Sequence, residues 1–309
     1  MPLRLTPARF RPLAVAALLM LAAIVVTGAA VRLTGSGLGC DDWPRCSDTA
    51  FVDVSSKHTA IEQVNRLFTG LVGAAVIACV GGALARRPRR RDLTVLAALL
   101  VLGVLANAVL GGISVLVDLH PLAVQGHMLL SMGLIVAGTM LVRRAGEPDG
   151  MPRVAVVSAP TLTLVRAHFA LTCVAIVAGT VVTAAGPHAG DEDAVRLDVA
   201  ISTVARLHGA SVIATLILAL AIAWRIRTIA ADRQALTGAL SAWIFAGALQ
   251  GALGYVQYLN GVPALLVWLH VTGATAVMYL TTQLLLATHR ALPHPRGAAV
   301  APPAVAVAV

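Results

Sequence analysis

The twenty residues Pro12–Val31, PLAVAALLMLAAIVVTGAAV, contain no Asp, Glu, Lys or Arg. A membrane-spanning helix needs about 20 predominantly apolar residues, so this stretch predicts a transmembrane helix. Its apolar run is longer than the roughly 7–15 residues of a signal peptide, and we expect it to be retained. Seven further windows are equally free of charge: Leu67–Ala85, Leu93–Val117, Leu122–Val142, Ala167–Pro187, Leu207–Trp224, Ala235–Asn260 and Pro263–Thr288. The sequence therefore predicts an all-α integral membrane protein with eight transmembrane helices.

The composition excludes a soluble protein of the same length. Of 309 residues, 58% are hydrophobic and 12% are charged, whereas soluble domains carry about 25% charged residues. The formal net charge of +9 could suggest nucleic-acid binding, but the arginines lie in short segments between apolar runs, as membrane topology requires. We therefore expect the lipid bilayer, and no nucleic acid, as the partner of this surface.

The arginines also predict the direction of the chain. If the N-terminus lies inside, the inner segments hold 17 of the 23 basic residues, including the run Arg86–Arg91, and the outer segments hold 10 of the 14 acids. Basic residues concentrate on the inner side of a membrane. We expect a multi-pass protein of the cell (plasma) membrane with both termini inside.

The two halves of the chain resemble each other. Span one closes with Val-Val-Thr-Gly-Ala-Ala-Val, ending at Val31, and span five with Val-Val-Thr-Ala-Ala-Gly-Pro, ending at Pro187, each before a long outer loop. Both halves start on the inner side, which predicts a parallel repeat about an axis along the membrane normal. We expect two four-helix bundles, residues 1–150 and 151–290, followed by a disordered inner tail, residues 291–309, rich in Ala, Pro and Val.

Three histidines lie in the first turns of even-numbered spans, at one depth below the outer face: His127, His208 and His270. Polar groups inside a membrane are costly and are candidate functional residues. A pair of imidazoles from facing helices can bind a heme iron on both axial positions, which favours His208 and His270 as a six-coordinate site. The alternative is that each histidine only hydrogen-bonds a carbonyl or serine of a neighbouring helix.

The repeat predicts a fourth histidine at the start of span two, where the sequence has Asn65 instead. An asparagine amide is a poor ligand for iron. The first half then offers one strong axial ligand, His127, and we expect an open or exchangeable heme site there.

Three charged side chains lie at the outer ends of spans two and six. Glu62 is one turn before Asn65 and is either a proton relay beside the heme or a partner of Lys57 or Arg66. Arg66 and Arg206 either contact heme propionates or extend to the membrane surface.

Cys40 and Cys46 share the first outer loop, on the oxidising side of the membrane. A structural disulfide is the simpler interpretation, and a redox-active dithiol is the alternative. Cys79 and Cys173 lie in mid-span and are expected to be core residues.

Four motifs resemble those of the heme A synthase family, and the resemblance extends over nearly the whole chain, from about residue 13 to 288. They are RLTGSGLGCDDWPRC at Arg32–Cys46, LGGISVL at Leu110–Leu116 with His127, GPHAGD at Gly186–Asp191, and LQG at Leu249–Gly251 with His270.

The resemblance implies an enzyme that oxidises a methyl group of heme O to a formyl group. The product, heme A, serves cytochrome oxidase, and a bound heme b is the cofactor. By position, His208 and His270 match the axial ligands of heme b, and His127 and Glu62 match the substrate side. A farnesyltransferase that makes heme O is the implied partner.

This sequence departs from the family pattern at two places. Family members commonly have a histidine where this chain has Asn65, and some carry a second cysteine pair between spans five and six. Two functions of other classes remain open from the residues alone. One is a di-heme b-type cytochrome that exchanges electrons with quinone, and the other is a porphyrin-binding chaperone or transporter.

Overall fold

The computed structural model describes residues 4–292 and contains eight long helices in that range. Each is long and apolar enough to cross a membrane, as the sequence predicted. Their bounds are α1 Pro7–Leu33, α2 Lys57–Ala85, α3 Arg91–Leu116, α4 Pro121–Ala145, α5 Ala159–Ala185, α6 Ile201–Ile226, α7 Ala230–Leu259 and α8 Ala264–Ala287.

Most helices extend beyond the predicted apolar windows. The largest difference is at α2, which begins at Lys57, ten residues before the predicted start at Leu67. The side chain of Ser56 accepts a hydrogen bond from the backbone N–H of Thr59 and caps this polar extension. A capped polar turn can continue a helix outside the apolar window, because its first N–H groups find a side-chain acceptor. This extension carries Glu62 and Arg66.

The helices pack as two four-helix bundles. Within α1–α4 each helix contacts the next and α1 contacts α4, and the same closed pattern occurs within α5–α8. Helix α8 also contacts α1 and α4, and joins the two bundles. The first bundle is packed around Phe10, Val76 and Leu100, and the second around Ile222 and Leu240. The direction of the chain in the membrane and the parallel repeat remain predictions.

The eight helices confirm the all-α prediction, and the structure adds two short strands that the sequence did not predict. Strands β1 (Arg153–Ala155) and β2 (His289–Ala291) form an antiparallel pair. The pair forms because the α4–α5 connection and the chain leaving α8 run side by side, so their free backbone groups satisfy each other. Ala291, the first residue of the tail predicted to be disordered, therefore belongs to a strand. From residue 293 onward that tail lies outside the described residues.

The two ends of the molecule differ in character. We call the end with the α1–α2 and α5–α6 loops the loop end, and the opposite one the arginine end. At the loop end the two long loops touch, since Gly37 N–H donates to Gly190 O at 2.9 Å and Arg32 Nε donates to His188 O at 2.6 Å. At the arginine end, the fully buried Arg86 forms a salt bridge with Asp149 at 2.7 Å. The candidate site lies toward the loop end.

Candidate heme-binding site

The structure brings His208 of α6 and His270 of α8 together inside the second bundle. Their ring centroids lie 6.2 Å apart and the ring planes cross at 78°. With Fe–N bonds of about 2 Å, two imidazoles on one iron have centroids about 6 Å apart, counting about 1 Å from nitrogen to centroid. The distance between these two rings therefore fits one iron between them, and the porphyrin would supply the other four ligands.

Hydrogen bonds fix the tautomer of two of the three histidines. Nδ1 of His208 lies 3.0 Å from the carbonyl oxygen of Ala175, and Nδ1 of His127 lies 3.0 Å from that of Asn107. A carbonyl oxygen can only accept, so Nδ1 is the protonated nitrogen in both rings. Nε2 then keeps its lone pair, as a metal-binding imidazole requires. Nδ1 of His270 is buried and has no hydrogen-bond partner among the described residues.

All three histidines lie at the loop end of their helices. His127 is the seventh residue of α4, His208 the eighth of α6 and His270 the seventh of α8. At a rise of 1.5 Å per residue, the Cα atom of each histidine lies roughly 9–11 Å along the axis from the first residue of its helix. The three histidines therefore lie at similar positions along their helices, and a common depth below the outer face of the membrane stays a prediction.

The first bundle has no such pair of imidazoles at the site that the sequence singled out. Asn65, at the predicted fourth position, accepts a hydrogen bond on Oδ1 from the hydroxyl of Thr27 at 2.8 Å. This bond joins α1 to α2 and occupies the amide oxygen. His127 is accordingly the one imidazole that the predicted site residues provide in this bundle.

Glu62 lies in a dense set of hydrogen bonds beside the disulfide loop. Its Oε1 accepts from Nε and Nη2 of Arg66, at 2.9 and 2.6 Å, and its Oε2 accepts from the backbone N–H of Cys40 at 2.8 Å. Of the two partners considered from the sequence, Arg66 is the one in contact. Glu62 thus connects α2 to the α1–α2 loop, and its role as a proton relay stays a prediction.

The α1–α2 loop is closed by a disulfide between Cys40 and Cys46, as expected. The loop places the indole of Trp43 directly on Gly112 of α3, so closely that a Cβ in place of this glycine hydrogen would overlap the indole ring. The neighbouring Gly111 contacts the ring of His127. The disulfide loop therefore covers the part of α3 that supports His127.

The two arginines considered for heme propionates differ in their surroundings. Besides its bonds to Glu62, Arg66 donates through Nη1 to the carbonyl oxygens of Asp42 and Arg45, at 2.9 and 3.0 Å. Arg206 is exposed, and its side chain makes no hydrogen bond or ion pair with the residues from 4 to 292. Contact of either arginine with a propionate stays a prediction.

The structure also contains a buried histidine that the sequence reasoning passed over. His168 of α5 is 0% exposed, and its ring packs edge-on against Trp243 with centroids 4.2 Å apart. Neither of its ring nitrogens has a partner in the described part of the chain. Its position inside a predicted apolar window could have marked it as a candidate. It lies at a different depth in the predicted membrane from His127, His208 and His270.

The imidazole pair suits a metal whose remaining ligands come from a macrocycle. Within residues 4–292, no group of three or more His, Cys, Asp or Glu could hold a metal ion. A pair of imidazoles is sufficient only where a macrocycle completes the coordination of the metal.

The chain is similar to known proteins of one family. The sequence model of the cytochrome oxidase assembly protein family (COX15-CtaA) matches residues 11–60 and 49–190. The Heme A synthase of Exiguobacterium sibiricum is 28% identical over 129 residues, which cover 40% of this chain and 43% of that protein. The Heme A synthase of Halalkalibacterium halodurans is 31% identical over 130 residues, 41% of this chain and 44% of that protein. Each alignment spans less than half of the relative.

Proposed function

Since the chain belongs to the cytochrome oxidase assembly protein family, we propose that it is a heme A synthase. It oxidises a methyl group of heme O to a formyl group and so supplies heme A for cytochrome oxidase. The two relatives that carry the name Heme A synthase support this activity, and heme O is the substrate that it requires.

The observation that carries the proposal is the distance of 6.2 Å between the rings of His208 and His270. These two residues hold heme b in the second bundle. When bound, heme b supplies a redox centre that passes electrons singly. The chain contributes two imidazoles, of which His208 is held as the Nδ1–H tautomer by the carbonyl of Ala175.

The first bundle is the substrate side in this proposal. His127 presents Nε2 to the iron of heme O, because its Nδ1 is bound to Asn107 O. Asn65 is engaged with Thr27 and is no competing ligand. A single protein ligand suits a substrate that must enter and leave, since a second axial bond would slow its release.

Glu62 is the candidate proton acceptor on the substrate side. The residue is 5% exposed, and its carboxylate accepts hydrogen bonds from Arg66 and from the N–H of Cys40. A carboxylate oxygen can accept more than one hydrogen bond, so these contacts orient the group and leave it able to receive a proton.

The location and the partners follow from the charge pattern and the chemistry. The arginine end faces the cytoplasm, because 17 of the 23 basic residues lie in the segments on that side. The heme sites then lie toward the outer face of the cell membrane. A farnesyltransferase that makes heme O is the natural partner, because it produces the substrate.

Extraction of hemes from the purified protein tests the proposal. The protein is isolated from cells that also make heme O, and the hemes are identified by mass. Heme B together with heme O, heme A or a hydroxylated intermediate is expected. Heme B alone would instead favour an electron-carrying cytochrome, and heme O without heme B and without any oxidised product would favour a chaperone or transporter.

A further inference from the structure

Each of the three candidate iron-binding histidines packs against a glycine of the preceding helix. In all three cases the Cε1–Nδ1 edge of the ring faces the glycine Cα. The pairs are Gly111 of α3 with His127, Gly179 of α5 with His208, and Gly254 of α7 with His270. The same contact therefore recurs at three places in the two bundles.

A Cβ atom at any of these three glycines would lie closer to the imidazole than ordinary van der Waals contact allows. A Cβ atom would lie 3.0 Å from the Cε1 atom of His127 at Gly111, 3.1 Å from that of His208 at Gly179, and 3.2 Å from that of His270 at Gly254. Carbon atoms in van der Waals contact are about 3.5–4.0 Å apart. An alanine methyl group at any of these positions would push the imidazole away from the helix by a few tenths of an ångström.

At two of the three positions the glycine is paired with a hydrogen-bond acceptor. The carbonyl that binds His127 Nδ1 belongs to Asn107, four residues before Gly111. The carbonyl that binds His208 Nδ1 belongs to Ala175, four residues before Gly179. In a helix this carbonyl already accepts from the N–H of the residue four positions later, which here is the glycine. The ring reaches the carbonyl only by lying over the glycine.

We propose that Gly111 and Gly179 are positioning residues for the iron-binding histidines. Each glycine lets an imidazole approach the helix backbone, and the carbonyl four residues earlier then fixes the Nδ1–H tautomer and points Nε2 at the iron. Gly254 gives His270 the same steric room without the hydrogen bond. The inference rests on the proposed function in one respect, which is that these histidines bind heme.

The matched test compares Gly179→Ala with Gly238→Ala. Gly238 also lies in a helix of the second bundle, α7, and a Cβ there would meet nothing within 4 Å. Heme content and the reduction potential of heme b are measured for both variants and for the unmodified protein. A hydrogen bond from Nδ1–H makes imidazole a stronger donor to iron and favours the ferric state. Gly179→Ala is expected to raise the potential and to weaken heme binding by about tenfold or more, and Gly238→Ala to change neither.

A second variant covers the case in which Gly179→Ala protein is not recovered. Gly254→Ala displaces the other axial ring and is expected to lower the heme b content. Unchanged heme content and potential in Gly179→Ala, or unchanged heme content in Gly254→Ala, would overturn the inference. If the unmodified protein bound no heme b, the proposed function itself would fail, so the two failures are distinguishable.

Discussion

Arg66 donates two hydrogen bonds to Oε1 of Glu62, and the two residues lie one turn apart on α2. The other oxygen accepts the N–H of Cys40, so one carboxylate joins the helix to the disulfide loop. The Glu62 side chain is 7% exposed and that of Arg66 is 18% exposed. Removal of either partner therefore leaves a charge that water compensates poorly.

Substitution of these two residues separates a proton acceptor from a loop anchor. Glu62→Ala and Arg66→Ala should both loosen the α1–α2 loop, by roughly 3 kcal/mol, because each leaves a buried charge unpaired. Glu62→Gln keeps the shape and one of the two acceptor oxygens, while its NH2 group would face either Arg66 or the N–H of Cys40, and it should loosen the loop less than Glu62→Ala. Proteolysis measures how far each substitution loosens the loop. Conversion of heme O measures whether Glu62 is needed as a proton acceptor.

If Glu62 accepts a proton, Glu62→Gln abolishes conversion of heme O while the loop stays resistant to proteolysis. Full conversion by Glu62→Gln would contradict a proton role and leave only the anchoring one. Asp48→Ala is the control, since the Asp48 side chain is 97% exposed in the same loop and should have no effect on either readout.

The disulfide should stabilise the loop without controlling heme b. Six positions separate Cys40 from Cys46, and closure of so short a loop is worth about 2 kcal/mol in the chain-entropy model. The double variant Cys40→Ser, Cys46→Ser should be cleaved faster in this loop and should keep its heme b content. Loss of heme b in the double variant would show that the loop also supports the second bundle.

Substitution of Gly112 should affect heme binding in the first bundle only. An alanine there collides with the indole of Trp43, so Gly112→Ala should displace the loop from α3 and weaken binding of heme O at His127. The heme b spectrum should stay unchanged. Gly133→Ala is the matched control, because a Cβ at Gly133 of α4 meets nothing within 4 Å. Equal binding of heme O by both variants would contradict the placement of Trp43 over the substrate side.

The stability of the arginine end should depend on a buried ion pair. The Arg86 side chain is 0% exposed and that of Asp149 is 25% exposed. Asp149→Ala leaves a buried guanidinium unpaired and should cost about 3–5 kcal/mol, seen as a lower midpoint of thermal unfolding in detergent. The double variant Arg86→Met, Asp149→Ala removes both charges and should recover much of this loss. A midpoint for Asp149→Ala equal to that of the unmodified protein would exclude the pair as a stabilising contact.

Much of this architecture could be predicted because a bilayer limits the possible structures. A charge-free run of about 20 residues has few alternatives to a spanning helix, so all eight helices were found. The cost of a buried imidazole likewise marked His208 and His270 as functional candidates before any distance between them was known. The spacing of Cys40 and Cys46 in one loop was enough to predict their disulfide.

The remaining features depend on contacts between segments far apart in sequence. Nothing local to Gly179 indicates that it faces His208, because the contact is created by the packing of α5 on α6. The pairing of β1 with β2 joins residues more than a hundred positions apart, and each strand has only three residues. His168 was missed because it does not lie in the first turn of an even-numbered span, as His127, His208 and His270 do.

The most direct test of the account is the absorption and electron paramagnetic resonance spectrum of the purified protein and of two variants. The account predicts a low-spin heme with two histidine ligands in the unmodified protein. His208→Ala should lose that signature, whereas His127→Ala should keep it, because His127 belongs to the other bundle. Survival of the two-histidine spectrum in His208→Ala would contradict the assignment of His208 and His270 as the ligands of heme b.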